Sequence, residues 1–174
     1  MDQRTTEYEA LRDTIRQRGT VRMMLVPLIF IGWAATAVAT AAVITVAVST
    51  LVPLLVLVAG FEAIFALHMN VERIGRYLQV FHERNGGWEE VAMRFGRQFP
   101  RSGPDPLFVQ LFVLATSVNF LPAALGFEQP IEIAVVAIPH LILIYRLRTA
   151  KAAAARQRAD DLQRFEQLYA ERET

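Results

Sequence analysis

The chain has 174 residues, a formal net charge of +1 and no cysteine. One ordinary domain is expected at this length, and disulfides, thiolate metal sites and cysteine nucleophiles are excluded. Hydrophobic residues make up 53% and mean hydropathy is +0.30, yet no Lys or Arg occurs from Met23 to Glu72 or from Pro106 to Tyr145. A water-facing helix carries charge along one face, whereas a lipid-facing one does not.

Residues 1–22 read as a cytoplasmic amphipathic helix. Thr6 and Glu9 have capping-box spacing, and Tyr8, Leu11 and Ile15 share one face. Arg12, Arg16 and Arg18 lie elsewhere around it. The favoured expectation is a helix resting on the bilayer surface with its arginines near lipid phosphates. The sharper alternative is a partner-binding helix.

Four apolar runs follow. A bilayer core of about 30 Å needs roughly 20 helical residues, and the runs cover about 23–48, 52–69, 106–125 and 130–147. Ser49-Thr50 with Pro53 reads as a tight turn into the second run. Asp105 is a candidate N-cap for the third run, with Pro106 as its first helical residue and Gly126 as its stop. Pro130 opens the fourth. Residues 37–39 resemble a signal-peptide cleavage site. The polar stretch before this run and the length of the run disfavour that reading.

Segments 1–22, 70–105 and 146–174 carry five, six and seven of the 18 Lys and Arg residues. Two hairpins place those three segments on one side, which the positive-inside rule makes cytoplasmic. The outer turns hold only Glu128 and Glu132. The expected fold is an all-α, four-helix transmembrane bundle over 23–147, with both termini inside, in a bacterial inner membrane.

The second run should continue as helix through Ile74, Tyr77, Leu78 and Phe81, stopping at Asn85-Gly86-Gly87. A short helix then carries Trp88, Val91, Ala92, Phe95 and Phe99 in one stripe, ended by Pro100 and Ser102-Gly103-Pro104. Within the loop 70–105 this makes a helical hairpin, and packing is its favoured role over an interfacial one. The tail 148–174 reads as a helix continuing the fourth run. Ala155, Leu162 and Tyr169 give a weak heptad, placing it against the N-terminal helix or a second copy.

Candidate functional residues come from depth. Counted from Pro53 and Pro130 at about 1.5 Å per residue, Glu62 and His140 both fall near mid-membrane. Thr116, Ser117 and Asn119 in the third run and Thr36 in the first fall near the same level. A buried carboxylate needs a partner, and His140 is the basic side chain at matching depth. A proton-sharing Glu62–His140 pair follows, with Pro139 freeing a carbonyl beside it. These groups suit an oligomeric channel or proton-coupled carrier. They equally suit a structural polar layer. Gly32, Thr36 and Thr40 form a small-xxx-small contact face, while Trp33 reads as packing. His68 and Glu72 supply two metal ligands, too few for a site.

No Walker loop, dinucleotide fingerprint, zinc-protease motif or nucleophile elbow is present. A non-enzyme without cofactor or metal is expected. Its partners are the lipid bilayer and further copies or a larger membrane complex; the scattered arginines argue against nucleic acid. The alternative function is a non-catalytic accessory or scaffold subunit acting through its cytoplasmic helices.

Overall fold

The computed structural model describes residues 3–43, 46–83, 86–99, 105–126 and 129–173. All regular structure among them is helical. Helix α1 spans Gln3–Val43, α2 Leu51–Phe81, α3 Trp88–Gln98, α4 Val109–Gly126 and α5 Pro130–Glu173, with a 3-10 turn at Ala47–Thr50 before α2. Four helical stretches are long and apolar enough to cross a membrane: Gln3–Val43, Ala47–Phe81, Val109–Gly126 and Pro130–Arg172.

Several boundaries differ from the sequence reading. No separate N-terminal helix exists: α1 begins at Gln3, before the proposed Thr6 cap, and passes Gly19 without a break. Among the described residues the first apolar run is helical to Val43, and Ala47–Thr50 forms its own packed turn. Asp105 does not cap α4. Pro106 and Leu107 form a turn, Phe108 takes a left-handed φ of 52°, and the helix starts at Val109. Leu107 is buried there, so core packing fixes the entry rather than cap chemistry. Gly126 is the last residue of α4. Asn85, Pro100, Ser102-Gly103-Pro104 and Glu128 lie outside the described residues.

The chain divides into two compact units. The apolar unit comprises Met23–Phe65 and Leu107–Lys151. Its core is a strip of α2, Leu54, Leu57, Phe61 and Ile64, at helical spacing. Phe112 and Ala115 of α4 and Leu143, Leu147 and Ala150 of α5 pack on it. Phe61 and Phe112 meet edge-on at 5.4 Å. From α1 only Ile29 is buried among the described residues, and it sits directly over Gly60. A Cβ at Gly60 would come within 2.5–2.9 Å of three Ile29 carbons. A second cluster joins Ala47 to Ala123 and Val136.

The polar unit comprises Met1–Arg22, Ala66–Pro106 and Ala152–Thr174. The end of α2 carries its aromatic centre. Phe165 packs on Tyr77 and Phe81 at 5.7 and 6.3 Å, and Tyr169 on Phe81 at 5.5 Å. The tail therefore seats on α2, with Ala154 and Asp161 buried and Ala155 exposed. Of the heptad residues Tyr169 packs as expected and Ala155 does not, and Tyr169 and Arg172 border a cavity shared with Arg4 and Glu7 of α1. The N-terminal part of α1 is held by charge: Arg12 pairs with Glu83 at 2.5 Å and with Glu89 at 2.8 Å. Arg4 donates to the Phe81 carbonyl. Arg12 is thus satisfied by protein carboxylates in place of the lipid phosphates expected for it.

Candidate functional site

The structure brings together Asn119 and His140 in the apolar unit, joined by Trp33 and Thr50. The atoms can be assigned from one residue upward. The indole N–H of Trp33 can only donate, so the Asn119 atom 3.1 Å from it is Oδ1. The amide nitrogen of Asn119 then faces the Thr50 carbonyl at 2.8 Å and His140 Nε2 at 3.0 Å. Both amide hydrogens are committed, so Nε2 must accept. His140 Nδ1, 2.8 Å from the Val136 carbonyl, therefore carries the proton and donates. Each donor of Asn119 has one acceptor and its oxygen has one donor. The result is an uncharged network whose donors are all saturated.

Local structure supplies the parts. Pro139 deprives α5 of one backbone donor near this level. His140 bonds back to its own helix and still presents Nε2 across it. The 3-10 turn places the Thr50 carbonyl where the Asn119 amide donates to it. Both Asn119 and His140 are buried, at 5% and 3% exposure. Phe120 packs against the imidazole with ring centroids 5.2 Å apart and the planes tilted by 57°.

Two grooves flank the network. One, of about 580 Å³, is lined by Trp33, Thr40, Thr50, Pro53, Asn119 and Pro122. The other, of about 430 Å³, is lined by Thr116, Ser117, Phe120, His140 and Ile144.

The remaining candidates are placed differently. Glu62 does not meet His140. Its carboxylate pairs with Arg146 at 2.9 and 3.0 Å, and its side chain is 46% exposed. The reason is register. Counting from Pro53 and Pro130 assumed that α2 and α5 start at one level. Thr50, ahead of Pro53, is instead bonded to the same amide as His140, ten residues into α5. Glu62 is twelve residues beyond Thr50, about 18 Å along the helix. It lies close to where α2 leaves the apolar unit at Phe65. Arg146 covers the rings of Phe65 and Phe61 at 4.3 and 5.5 Å, so its pairing is also cation–π supported.

The hydroxyls also stay out of the network. Thr116 is buried and donates to the Phe112 carbonyl at 2.7 Å; Ser117 is exposed and donates to Val113 at 2.9 Å. Thr36 donates to the Gly32 carbonyl at 2.7 Å and Thr40 to Thr36 at 2.9 Å. Gly32 is not the close-approach position either. A Cβ there would meet Val56 at an ordinary 3.7 Å, whereas Gly60 leaves no such room.

In the polar unit, Glu83 is 8% exposed and accepts from Tyr8, Arg12 and the Glu89 backbone N–H. Burial alone pushes its carboxyl up. The Glu89 N–H, the Tyr8 hydroxyl and Arg12 outweigh that and hold it below the usual range. Arg76 bridges Gln79 and Glu89, and Glu72 pairs with Arg158 at 2.7 Å. His68 faces Arg22 at 3.2 Å. Among the described residues no three metal-ligating side chains cluster.

Trp33, Thr50, Arg146 and Gly60 were missed by sequence reasoning. Trp33 carried a usable signal, since an indole N–H inside an apolar run needs an acceptor. Arg146 is the first cation after the fourth run, within snorkelling reach of Glu62. Thr50 acts through its carbonyl, which no side-chain pattern reveals. No protein-family model, curated protein or solved structure matches this chain.

Proposed function

We propose that the chain is a multi-pass membrane protein acting as a non-catalytic accessory or scaffold subunit, with its polar unit as the working face. In this reading the four apolar stretches cross a bacterial inner membrane as two hairpins. Both termini are cytoplasmic, following the clustered arginines. The observation that carries it is the saturation of the Asn119 network. Every donor of this layer is committed to an acceptor within the protein, which suits a structural layer better than a proton relay. A saturated layer fixes helix register. Glu62, the acid of the second apolar stretch, is occupied by Arg146.

A second reading is a channel or carrier assembled from several copies, with the Asn119–His140 bond as its barrier. The grooves on either side of that bond favour it. Flux measurements separate the two. In proteoliposomes the wild-type chain is expected to pass protons and monovalent cations no faster than empty vesicles. Flux that disappears in a folded His140→Leu variant overturns the scaffold reading and promotes the second.

A further inference from the structure

We propose that α3 is a lipid-binding helix that lies in the headgroup region of the bilayer through Trp88, Val91, Phe95 and Phe99. This rests on the reading that the chain is a membrane protein.

Helix α3 is built the wrong way round for a packing helix. Glu89 faces the interior of the polar unit, bonded to Arg12 and Arg76. Ala92, Met93 and Gly96 border the same interior groove. The large apolar side chains point elsewhere: Trp88 is 69% exposed, Val91 53%, Phe95 53% and Phe99 49%. At helical spacing these four fall within one narrow stripe. They are four of the six exposed large hydrophobics among the described residues of the polar unit, the others being Val21 and Leu168. Concentration on α3 and its C-cap residue Phe99 makes a patch, not scatter.

Chemistry and reach select lipid as the occupant. Eleven residues are too few to span a bilayer. Trp and Phe on an amphipathic helix partition into the interface, where the indole keeps its N–H wet. Arg94 and Arg97 are exposed beside the stripe and supply phosphate contacts. Seven residues join Phe99 to Leu107, where the apolar unit begins; a chain that short reaches at most about 29 Å. A partner surface that is always within tether length is the bilayer itself. The polar face also explains the ion pairs: Glu89 anchors the helix by one side so that the other is presented.

Tryptophan fluorescence tests this, because the chain has only Trp33 and Trp88. Full-length protein is reconstituted in phosphatidylcholine–phosphatidylglycerol vesicles. The phosphatidylcholine is brominated either near the headgroup or near the chain end. Subtracting the signal of Trp88→Phe from wild type isolates Trp88 and leaves the Trp33 network intact. Blue-shifted Trp88 emission, quenched several-fold more by shallow than by deep bromines, is expected. Trp88 quenched by aqueous iodide but not by bromolipid overturns the proposal. So does Trp88 shielded from both, with a shift that grows with protein-to-lipid ratio, since a second copy then covers the stripe. The Trp33 signal of Trp88→Phe is the control: if bromolipid leaves it unquenched and alkaline washing strips the protein, the membrane reading itself fails.

Discussion

The protein contains two polar networks, and they are solved by opposite chemistry. Around Asn119 every group is neutral and bonded once per donor, and all but the half-buried Trp33 are buried. Around Glu83 the groups are charged, and two arginines share two carboxylates. The difference follows from surroundings. In an apolar unit an uncompensated charge costs far more than a neutral hydrogen bond, so amide, indole and imidazole are used. In the polar unit water reaches part of each pair; Arg12 keeps 25% of its side chain exposed, which makes ion pairs affordable. Glu62 tests the rule from the boundary. It sits near the end of the apolar segment of α2, half exposed and ion-paired, so it belongs with the second chemistry.

Breaking the neutral network is expected to cost most. Asn119→Leu orphans the Trp33 N–H, the Thr50 carbonyl and His140 Nε2 at once. Each orphan costs about 1–3 kcal/mol in water-soluble proteins and less in membranes, so a loss of about 2–4 kcal/mol should appear in denaturant unfolding in micelles. Next is Arg12→Met, which leaves Glu83 with 6% side-chain exposure and without its cation. Removing one partner of a pair this buried, discounted for the exposed arginine, costs about 2 kcal/mol. Thermal melting of the full chain measures it.

Gly60→Ala should lower stability by about 1–2 kcal/mol, because the new methyl overlaps Ile29. Gly32→Ala, with ordinary clearance, should change little. Comparing the two by melting temperature tests which glycine brings α1 onto α2.

Acid should separate the networks further. The Glu83 carboxyl is held below its ordinary value of 4.5. Its stabilisation is therefore complete above about pH 4.5 and is lost as pH falls through the lower folded value. Melting temperature should decline on acidification in wild type, and Glu83→Gln should show a shallower decline from a lower start. The smallest effect is expected for Glu62→Gln. Exposed ion pairs contribute about 0–1 kcal/mol, so the variant should melt within a degree or two of wild type.

The helices were legible and their register was not. Apolar runs with no charge, the periodicity through Phe81 and the Gly-Gly stop gave α2, α3 and α5 close to their observed limits. These are local signals. Register depends on how one helix slides along another, and proline positions carry no information about that. Hence Asn119 and His140 were placed together correctly, while Glu62 was assigned to a layer about 18 Å from where it lies. The α4 start was misread for a related reason: burial of Leu107 and the turn at Phe108 override the Asp-Pro cap signal. The stripe on α3 was legible as a pattern, but its exposure was not, because exposure is a property of the fold.

The protonation site of His140 tests the account most directly. Nitrogen-15 NMR of histidine-labelled protein in lipid, with His140 assigned by comparison with His140→Leu, reports each ring nitrogen separately. The saturated network predicts a protonated Nδ1 and a bare Nε2 at neutral pH. A proton on Nε2 would face the Asn119 amide and contradict the network, and with it the structural role assigned to this layer.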